Sequence, residues 1–226
     1  MFLFGHRGAS FDRAENTISA FIAAAEQGAD GVELDVRRTS DGVLVVHHDP
    51  VLPDGRVICD IRRTELPERV PTLLEAVVAC GSLIVNIEIK NSPNEPGFEH
   101  DRRLAVDALA VLDEMADPPP VIVSSFDYAT IEMVKATSPR TRTGYLVMAV
   151  SQPVDAIARC LDGGHEAVHP WDPFVDAVVV DQCREAGLDV NVWTVDDPDR
   201  VRELAAWGVD GLVTNRPGVA RTALAG

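Results

Sequence analysis

The sequence predicts a (β/α)8 barrel, the TIM-barrel architecture, as a single α/β domain spanning residues 1–226. Short β-branched or apolar runs alternate with amphipathic, Ala-rich stretches along the chain, which is the pattern of repeated βα units that form a parallel sheet. Eight such units fit within 226 residues. That number matches a compact barrel, whereas a doubly wound open sheet usually has fewer strands.

The eight βα units can be placed in order along the chain. Each predicted strand is a short run of β-branched or apolar residues, and each predicted helix has apolar residues at helical spacing. The strands are 3–5, 31–37, 83–89, 121–125, 143–147, 167–169, 189–194 and 211–214. The helices are 17–27, 72–80, 101–115, 128–137, 154–161, 175–185, 198–207 and 217–225. Gly28 and Gly208 stand where helices should end before the next strand.

One segment, 44–71, breaks the alternation. It begins with an alternating, strand-like run, continues through the turn signal Pro-Asp-Gly at 53–55 and ends in charged residues. We interpret it as a short insertion after the second strand. Such an insertion would cover the end of the barrel at which TIM-barrel enzymes have their active sites. The polar segment 91–100 is predicted to be a loop after the third strand.

Composition restricts the partners of this protein. The formal net charge is -16 and no run of Lys or Arg occurs, so the negative surface disfavours nucleic acids and anionic membranes. We therefore expect no nucleic-acid partner and no stable membrane association. The four cysteines form no CxxC pair, so we expect reduced thiols. The apolar start at 1–4 is too short for a secretory or membrane-spanning segment, which predicts a cytoplasmic protein.

Carboxylates lie on two predicted strands. Because alternate residues of a strand share a face, Glu33 and Asp35 point one way together, as do Asn86, Glu88 and Lys90. The outer face of a barrel packs on helices, so these side chains should face inward, where unpaired burial is costly. Converging carboxylates are typical of one bound Mg2+ or Ca2+. The alternative is that they form structural ion pairs with barrel lysines or arginines.

Histidines lie at the ends of two predicted strands. His6 and Arg7 end the first strand and are flanked by glycines, and an arginine offers a planar fork that matches phosphate oxygens. His47 and His48 end the alternating run, so only one of them can point into a site. A nucleophile elbow, a phosphate-binding glycine loop and a dinucleotide fingerprint are missing from the sequence. These features together indicate metal-assisted chemistry.

The ordered motifs resemble the glycerophosphodiester phosphodiesterase family, from His6 nearly to the C-terminus. The motifs are Gly-His-Arg-Gly (5–8), Glu-Asn-Thr with Ala-Phe (15–21), Gly-Ala-Asp-Gly-Val-Glu-Leu-Asp-Val (28–36), Thr-Ser-Asp-Gly-Val-Leu-Val-Val-His-His-Asp (39–49), Ile-Glu-Ile-Lys (87–90), Ser-Ser-Phe (124–126) and Val-Trp-Thr-Val (192–195). Segment 51–61 departs from the Leu-x-Arg-Thr-Thr stretch common in the family, which leaves the substrate scope open.

The resemblance implies a TIM-barrel enzyme that hydrolyses glycerophosphodiesters, small-molecule substrates, to glycerol 3-phosphate and an alcohol. It also implies roles for particular residues: His6 and His48 as general acid and base, Glu33, Asp35 and Glu88 as ligands of one divalent ion, and Arg7 and Lys90 as phosphate-binding groups. Trp193, at the end of the seventh strand, is expected either to form an apolar wall for the alcohol or to pack in the core.

Several alternatives stay open. The same barrel could act on lipid diesters, as a phosphodiesterase or a phosphate lyase, or it could bind phosphodiesters without turnover. Attack by water and attack by a neighbouring substrate hydroxyl would use the same residues. Asn16 could be a helix N-cap or a polar group near the metal. His169 and Trp171, after the sixth strand, could add contacts to the substrate.

Overall fold

Eight parallel strands close into a barrel in a computed structural model, which describes residues 1–148 and 153–225. The first strand, β1, pairs in parallel with both the second and the last strand, which closes the sheet. The strands are β1 (Phe2–His6), β2 (Gly31–Arg38), β3 (Leu44–Val46), β4 (Ile84–Ile89), β5 (Val121–Ser125), β6 (Arg142–Val147), β7 (Ala167–Pro170), β8 (Asp189–Val192) and β9 (Gly211–Thr214). All except β3 belong to the barrel, so the predicted fold is confirmed.

The helices lie between the strands, as predicted. They are α1 (Ile18–Glu26), α2 (Leu73–Cys80), α3 (Arg103–Asp113), α4 (Tyr128–Thr137), α5 (Pro153–Gly163), α6 (Ala177–Glu185), α7 (Pro198–Trp207) and α8 (Pro217–Ala225). The start of α6 differs from the prediction because Asp176 is its N-cap and accepts a hydrogen bond from the backbone N–H of Val179. Among the described residues, no helix combines the length and apolarity needed to cross a membrane.

The segment between β2 and α2 folds back over one end of the barrel. Its strand β3 pairs antiparallel with the last residues of β2, Val36 opposite Val46. Beyond β3, two short 3-10 turns, Ile58–Asp60 and Arg63–Glu65, follow. A small apolar cluster holds the segment together; its buried members are Val45, Leu52, Ile58, Leu66 and Val70. Because β3 pairs at the carboxyl end of β2, the residues that follow it lie at the mouth of the barrel.

The strands of the barrel separate an apolar outer face from a polar interior. Val32, Leu34 and Val36 of β2 are fully buried and pack in the core cluster that includes residues of α1, α2 and α3. A second cluster fills the space under α5 to α8. Glu33 and Asp35, which alternate with these valines and leucine, are also buried and point to the opposite side. The fold therefore keeps two carboxylates inside the barrel.

Candidate active site

The strand register brings polar side chains to common levels inside the barrel. Glu33 is paired with His6 of β1 on one side and with Asn86 of β4 on the other. Asp35 is paired with Glu88, two residues nearer the carboxyl ends of the strands. A pocket opens at this carboxyl end of the barrel. Its lining residues are His6, Arg7, Glu33, His48, Asn86, Glu88, Lys90, Phe126, Leu146, Met148, His169, Trp193 and Val213.

The three acidic residues expected to bind a metal lie together. Glu33, Asp35 and Glu88 are buried, and one carboxylate oxygen from each lies within 4.8 Å of those of the other two. Burial raises the pKa of Glu33 well above its ordinary value, and the negative charges of Asp35 and Glu88 raise it further. Burial also raises the pKa of Glu88. Glu33 and Glu88 thus have less positive charge around them than two buried carboxylates need to stay ionised.

Lys90 and Arg7 supply part of the missing charge. The Lys90 Nζ lies 2.9 Å from Asp35 Oδ1 and 2.5 Å from Glu88 Oε1, and the Arg7 Nε lies 3.2 Å from Asp35 Oδ2. Burial acts to raise the pKa of Asp35, but Lys90 and then Arg7 outweigh it and hold that pKa below its ordinary value. The structural ion pairs considered from the sequence therefore exist at Asp35.

The donor set nevertheless fits a divalent cation. Glu33 Oε1 is buried and has no hydrogen-bond partner among residues 1–148 and 153–225, and such an orphaned oxygen is costly unless something binds it. Three clustered carboxylates provide hard oxygen ligands, which Mg2+ and Ca2+ prefer. A bound ion would also neutralise the charge that Lys90 and Arg7 leave uncompensated.

Asn16 belongs to this site and does not cap α1. Thr17 is the N-cap, since its side chain accepts from the backbone N–H of Ala20. The Asn16 Nδ2 instead donates to Asp35 Oδ2 over 2.7 Å. Of the two roles considered for Asn16, the helix cap is therefore wrong, and the residue orients a carboxylate of the acidic cluster.

Three histidines line the pocket, His6, His48 and His169. His6 Nδ1 lies 2.7 Å from Asn215 Oδ1, and its Nε2 lies 4.0 Å from Glu33 Oε2. His48 Nδ1 lies 2.7 Å from Asp49 Oδ1. His47 is not among the residues that line this pocket, and its Nδ1 lies 2.9 Å from the backbone oxygen of Asp49. Of the neighbouring pair, His48 is thus the one that lines the pocket with His6.

His6 and His48 both favour the neutral form. Burial lowers the pKa of His6, and the positive charge of Arg7 lowers it further. Burial and then Lys90 lower the pKa of His48. Because each ring has its Nδ1 engaged by an oxygen, the Nε2 atoms are the ones free to exchange protons with a ligand. Such imidazoles suit acid–base chemistry.

Apolar side chains form one wall of the pocket. The Trp193 Nε1 donates to the backbone oxygen of His169 over 2.8 Å, which holds the indole, and Phe126 meets the indole edge-to-face with ring centroids 5.6 Å apart. Trp171 stacks on the indole at 6.4 Å but is not among the lining residues. His169 and Met148 do line the pocket. The pocket thus has a charged side and an apolar side.

Some pocket residues were not predicted as site residues. Phe126 and Met148 each directly follow a predicted strand, and Asn86 lies on the polar stripe of β4. Asn215 follows β9 and contacts His6 across 209 positions in the sequence. Strand alternation already predicted that Asn86 faces inward. For Phe126, Met148 and Asn215 the one available signal was position, because carboxyl ends of barrel strands form the active-site face. That signal marks many residues and singles out none.

Known proteins are similar to this chain in fold and in sequence. Residues 6–219 match the glycerophosphoryl diester phosphodiesterase family. The chain is 32% identical over 233 residues to a glycerophosphodiester phosphodiesterase of Caldanaerobacter subterraneus subsp. tengcongensis, covering 94% of this chain and 93% of that protein. It is also similar to the solved structure of an Oleispira antarctica phosphodiesterase in complex with the product sn-glycerol-3-phosphate. That similarity has a TM-score of 0.91 and 26% identity, and it covers 100% of this chain and 97% of the other.

A second solved structure, a glycerophosphodiester phosphodiesterase from Thermotoga maritima, matches with a TM-score of 0.83 and 29% identity over 98% of this chain and 97% of the other. Barrel, pocket and relatives define the class, a phosphoric diester hydrolase on a TIM barrel. The chain belongs to the glycerophosphoryl diester phosphodiesterase family, as the resemblance predicted.

Proposed function

We propose that this protein hydrolyses glycerophosphodiesters to glycerol 3-phosphate and an alcohol, with one divalent metal ion, Mg2+ or Ca2+, as its cofactor. The observation that carries the proposal is the buried cluster of Glu33, Asp35 and Glu88, with an orphaned oxygen on Glu33, beside two histidines in one pocket. The relative solved with sn-glycerol-3-phosphate supports this choice of product.

In this proposal, Glu33, Asp35 and Glu88 hold the metal ion. When bound, the ion would neutralise phosphate charge and make the phosphorus more open to attack. Arg7 and Lys90 bind the phosphate oxygens. Both cations line the pocket and contact the acidic cluster. They therefore lie close to the place where a phosphate would bind beside the metal ion, and where its charge would need positive partners.

His6 and His48 move the protons. One imidazole takes a proton from the attacking oxygen, and the other gives a proton to the oxygen of the leaving alcohol. Both rings line the same pocket and have their Nδ1 atoms occupied, which directs the Nε2 atoms to this task. The pair serves attack by water and attack by a substrate hydroxyl equally.

Trp193 contacts the carbon atoms of the substrate. Its indole is held by the bond to the His169 backbone and is flanked by Phe126. An apolar surface opposite a charged cluster fits a small molecule with a phosphate at one end and an alcohol at the other. The proposed substrates are therefore small glycerophosphodiesters.

A turnover assay with matched variants tests the proposal. Alcohol release is measured from glycerophosphocholine, glycerophosphoethanolamine and glycerophosphoglycerol, with enzyme that has been stripped of metal and then supplied with Mg2+ or Ca2+. We expect no turnover without metal, loss of metal binding by calorimetry in Glu33→Gln, and a kcat about 10²–10⁴-fold lower in His48→Gln. His47→Gln is the matched control, because His47 is adjacent to His48 and is not among the residues lining this pocket.

Three outcomes would contradict the proposal. Full turnover by metal-free enzyme would exclude the metal-dependent mechanism, and equal losses in His47→Gln and His48→Gln would exclude the specific role of His48. Turnover of lysophospholipids, with none of the three soluble diesters, would instead favour a lipid phosphodiesterase.

A further inference from the structure

Asn215 is held by hydrogen bonds on both ends of its amide. Its Oδ1 lies 2.7 Å from His6 Nδ1 and accepts from Ser10 Oγ over 2.8 Å. Its Nδ2 donates to Asp196 Oδ2 over 2.6 Å. The other oxygen of Asp196 accepts from the backbone N–H of Asn215 and from the hydroxyl of Thr214, at 2.8 and 2.9 Å. Asp196 is thus anchored to the end of β9, and Asn215 connects it to His6.

The hydrogen-bonding properties of these groups determine which atom donates and which accepts at each contact between Asp196, Asn215 and His6. A carboxylate accepts hydrogen bonds and donates none, so the NH2 group of Asn215 must face Asp196. The amide oxygen must then face His6, and an amide oxygen also only accepts. The proton of the neutral imidazole therefore lies on Nδ1 of His6. Its Nε2, the nitrogen nearer Glu33, carries the free lone pair.

We infer that Asp196 and Asn215 are positioning residues that fix the tautomer and ring orientation of His6, so that its Nε2 is presented to the substrate. The inference rests on the proposed function only for its catalytic consequence, because the hydrogen bonds exist without any ligand. Partners behind a catalytic or metal-binding histidine often set its tautomer and orientation in this way. With the opposite tautomer, Nε2 would carry the proton and could not accept one.

An isosteric variant at Asp196 should exchange the donor and the acceptor that Asn215 presents to its two neighbours. In Asp196→Asn, the new amide can donate to Oδ1 of Asn215, so the Asn215 side chain can turn over and present its NH2 group to His6 Nδ1. Ser10→Ala is the matched control. It removes a hydrogen bond to the same Oδ1 atom and leaves the hydrogen bonds of Asn215 to Asp196 and to His6 intact.

The direct readout is the tautomer of His6. Nitrogen-15 NMR of the full chain with Mg2+, at a pH where the imidazoles are neutral, reports which ring nitrogen is protonated, and His6→Gln assigns the signal. We expect a protonated Nδ1 in the wild type and in Ser10→Ala, and a protonated Nε2 or a mixture in Asp196→Asn. For glycerophosphodiester hydrolysis, we expect kcat of Asp196→Asn to fall about 10–100-fold with KM little changed.

The outcomes separate this inference from the proposed function. An unchanged His6 tautomer in folded Asp196→Asn would overturn the inference, as would a lower kcat without a tautomer change, which indicates a merely structural role. If Asp196→Asn does not fold, Asn215→Leu decides, because it removes the acceptor and should yield a mixture of tautomers. Absence of turnover in the wild type would contradict the proposed function, while the NMR comparison would still decide the tautomer.

Discussion

Lys90 connects two of the three carboxylates that we propose as metal ligands. Its side chain is largely buried, and its Nζ contacts both Asp35 and Glu88. Burial acts to lower the pKa of Lys90, but Glu88 and then Asp35 outweigh it and raise that pKa. The amine is therefore held charged, and it compensates in part for the negative charge of the cluster.

Replacing Lys90 should make the stability of the protein depend more strongly on metal. We expect Lys90→Met to lower the free energy of unfolding of the metal-free protein by about 3–5 kcal/mol, because it leaves buried carboxylates without their partner. Saturating Mg2+ or Ca2+ should restore part of that loss. Urea unfolding with and without metal measures both effects.

Lys135→Met is the matched control for this experiment. Lys135 pairs with Glu166, whose side chain is 36% exposed, so we expect a loss of about 1 kcal/mol or less that does not respond to metal. An equal metal response in both variants would contradict the role of Lys90 at the cluster.

His169 should make the protein less stable in acid. Burial lowers its pKa to about 3, with Arg142 adding to the effect, and its Nε2 accepts from Asn191 Nδ2 at 2.9 Å. As the pH falls through 6.5, the ordinary pKa of a histidine, the unfolded chain binds a proton at this residue and the folded chain does not. The contribution of His169 to stability is thus present above pH 6.5 and is lost progressively toward its folded pKa, by up to about 1.4 kcal/mol per pH unit.

The measurement is urea unfolding of the wild type and of His169→Gln across this pH range. The difference between the two isolates His169 from the carboxylates, which titrate in both proteins. Parallel pH profiles for the two proteins would show that His169 makes no such contribution.

At the scale of elements, the inside of the barrel depends on alternating large and small residues. Gly144 of β6 lies beside His169 of β7, and a Cβ added at Gly144 would lie 2.2 Å from the His169 Nε2. The same relation holds between Gly211 of β9 and the side chain of Asn191 on β8. Glycine on one strand thus makes room for a polar side chain on its neighbour.

Gly144→Ala should therefore be destabilising. We expect a loss of about 1–3 kcal/mol, since the histidine ring must leave its rotamer or the strands must move apart. The control is Gly218→Ala in α8, where an added Cβ would make only ordinary contacts, the nearest at 3.5 Å, and stability should stay the same or rise slightly. Urea unfolding measures both, and equal effects would show that strand packing does not explain the cost.

Much of the element pattern was predictable because its causes are local. Each predicted barrel strand and helix overlaps an observed one, and the inward face of Glu33 and Asp35 follows from strand periodicity alone. The antiparallel pairing of β3 with β2 was not predicted, because it depends on how segment 44–71 packs as a whole. The contact between Asn215 and His6 was also missed, since it exists only when β9 and β1 meet.

At the scale of the whole molecule, the net charge of -16 opposes the approach of an anionic substrate. Arg7 and Lys90 act against this field only near the pocket, and both are paired with carboxylates. The long-range field should therefore affect the rate of encounter more than it affects the chemistry of the bound substrate.

Added salt should raise activity on a charged substrate. We expect kcat/KM for glycerophosphoglycerol, a net anion, to rise about two- to fivefold from low to physiological ionic strength, because salt screens the repulsion. Glycerophosphocholine is a zwitterion and should respond less, and kcat should change little for either. A fall in kcat/KM with salt for the anion would show that local cations dominate the encounter.

The closure of the barrel at β1 bears on the order in which the protein becomes functional as it is synthesised. β1 needs β9 as a neighbour, and Arg221 of α8 pairs with Asp30 across 191 positions. Contacts between such distant parts of a chain form slowly. Glu33 and Glu88, on the adjacent strands β2 and β4, can meet while the chain is still growing. His6 must wait for Asn215, so we expect a nascent chain to bind metal before it can catalyse.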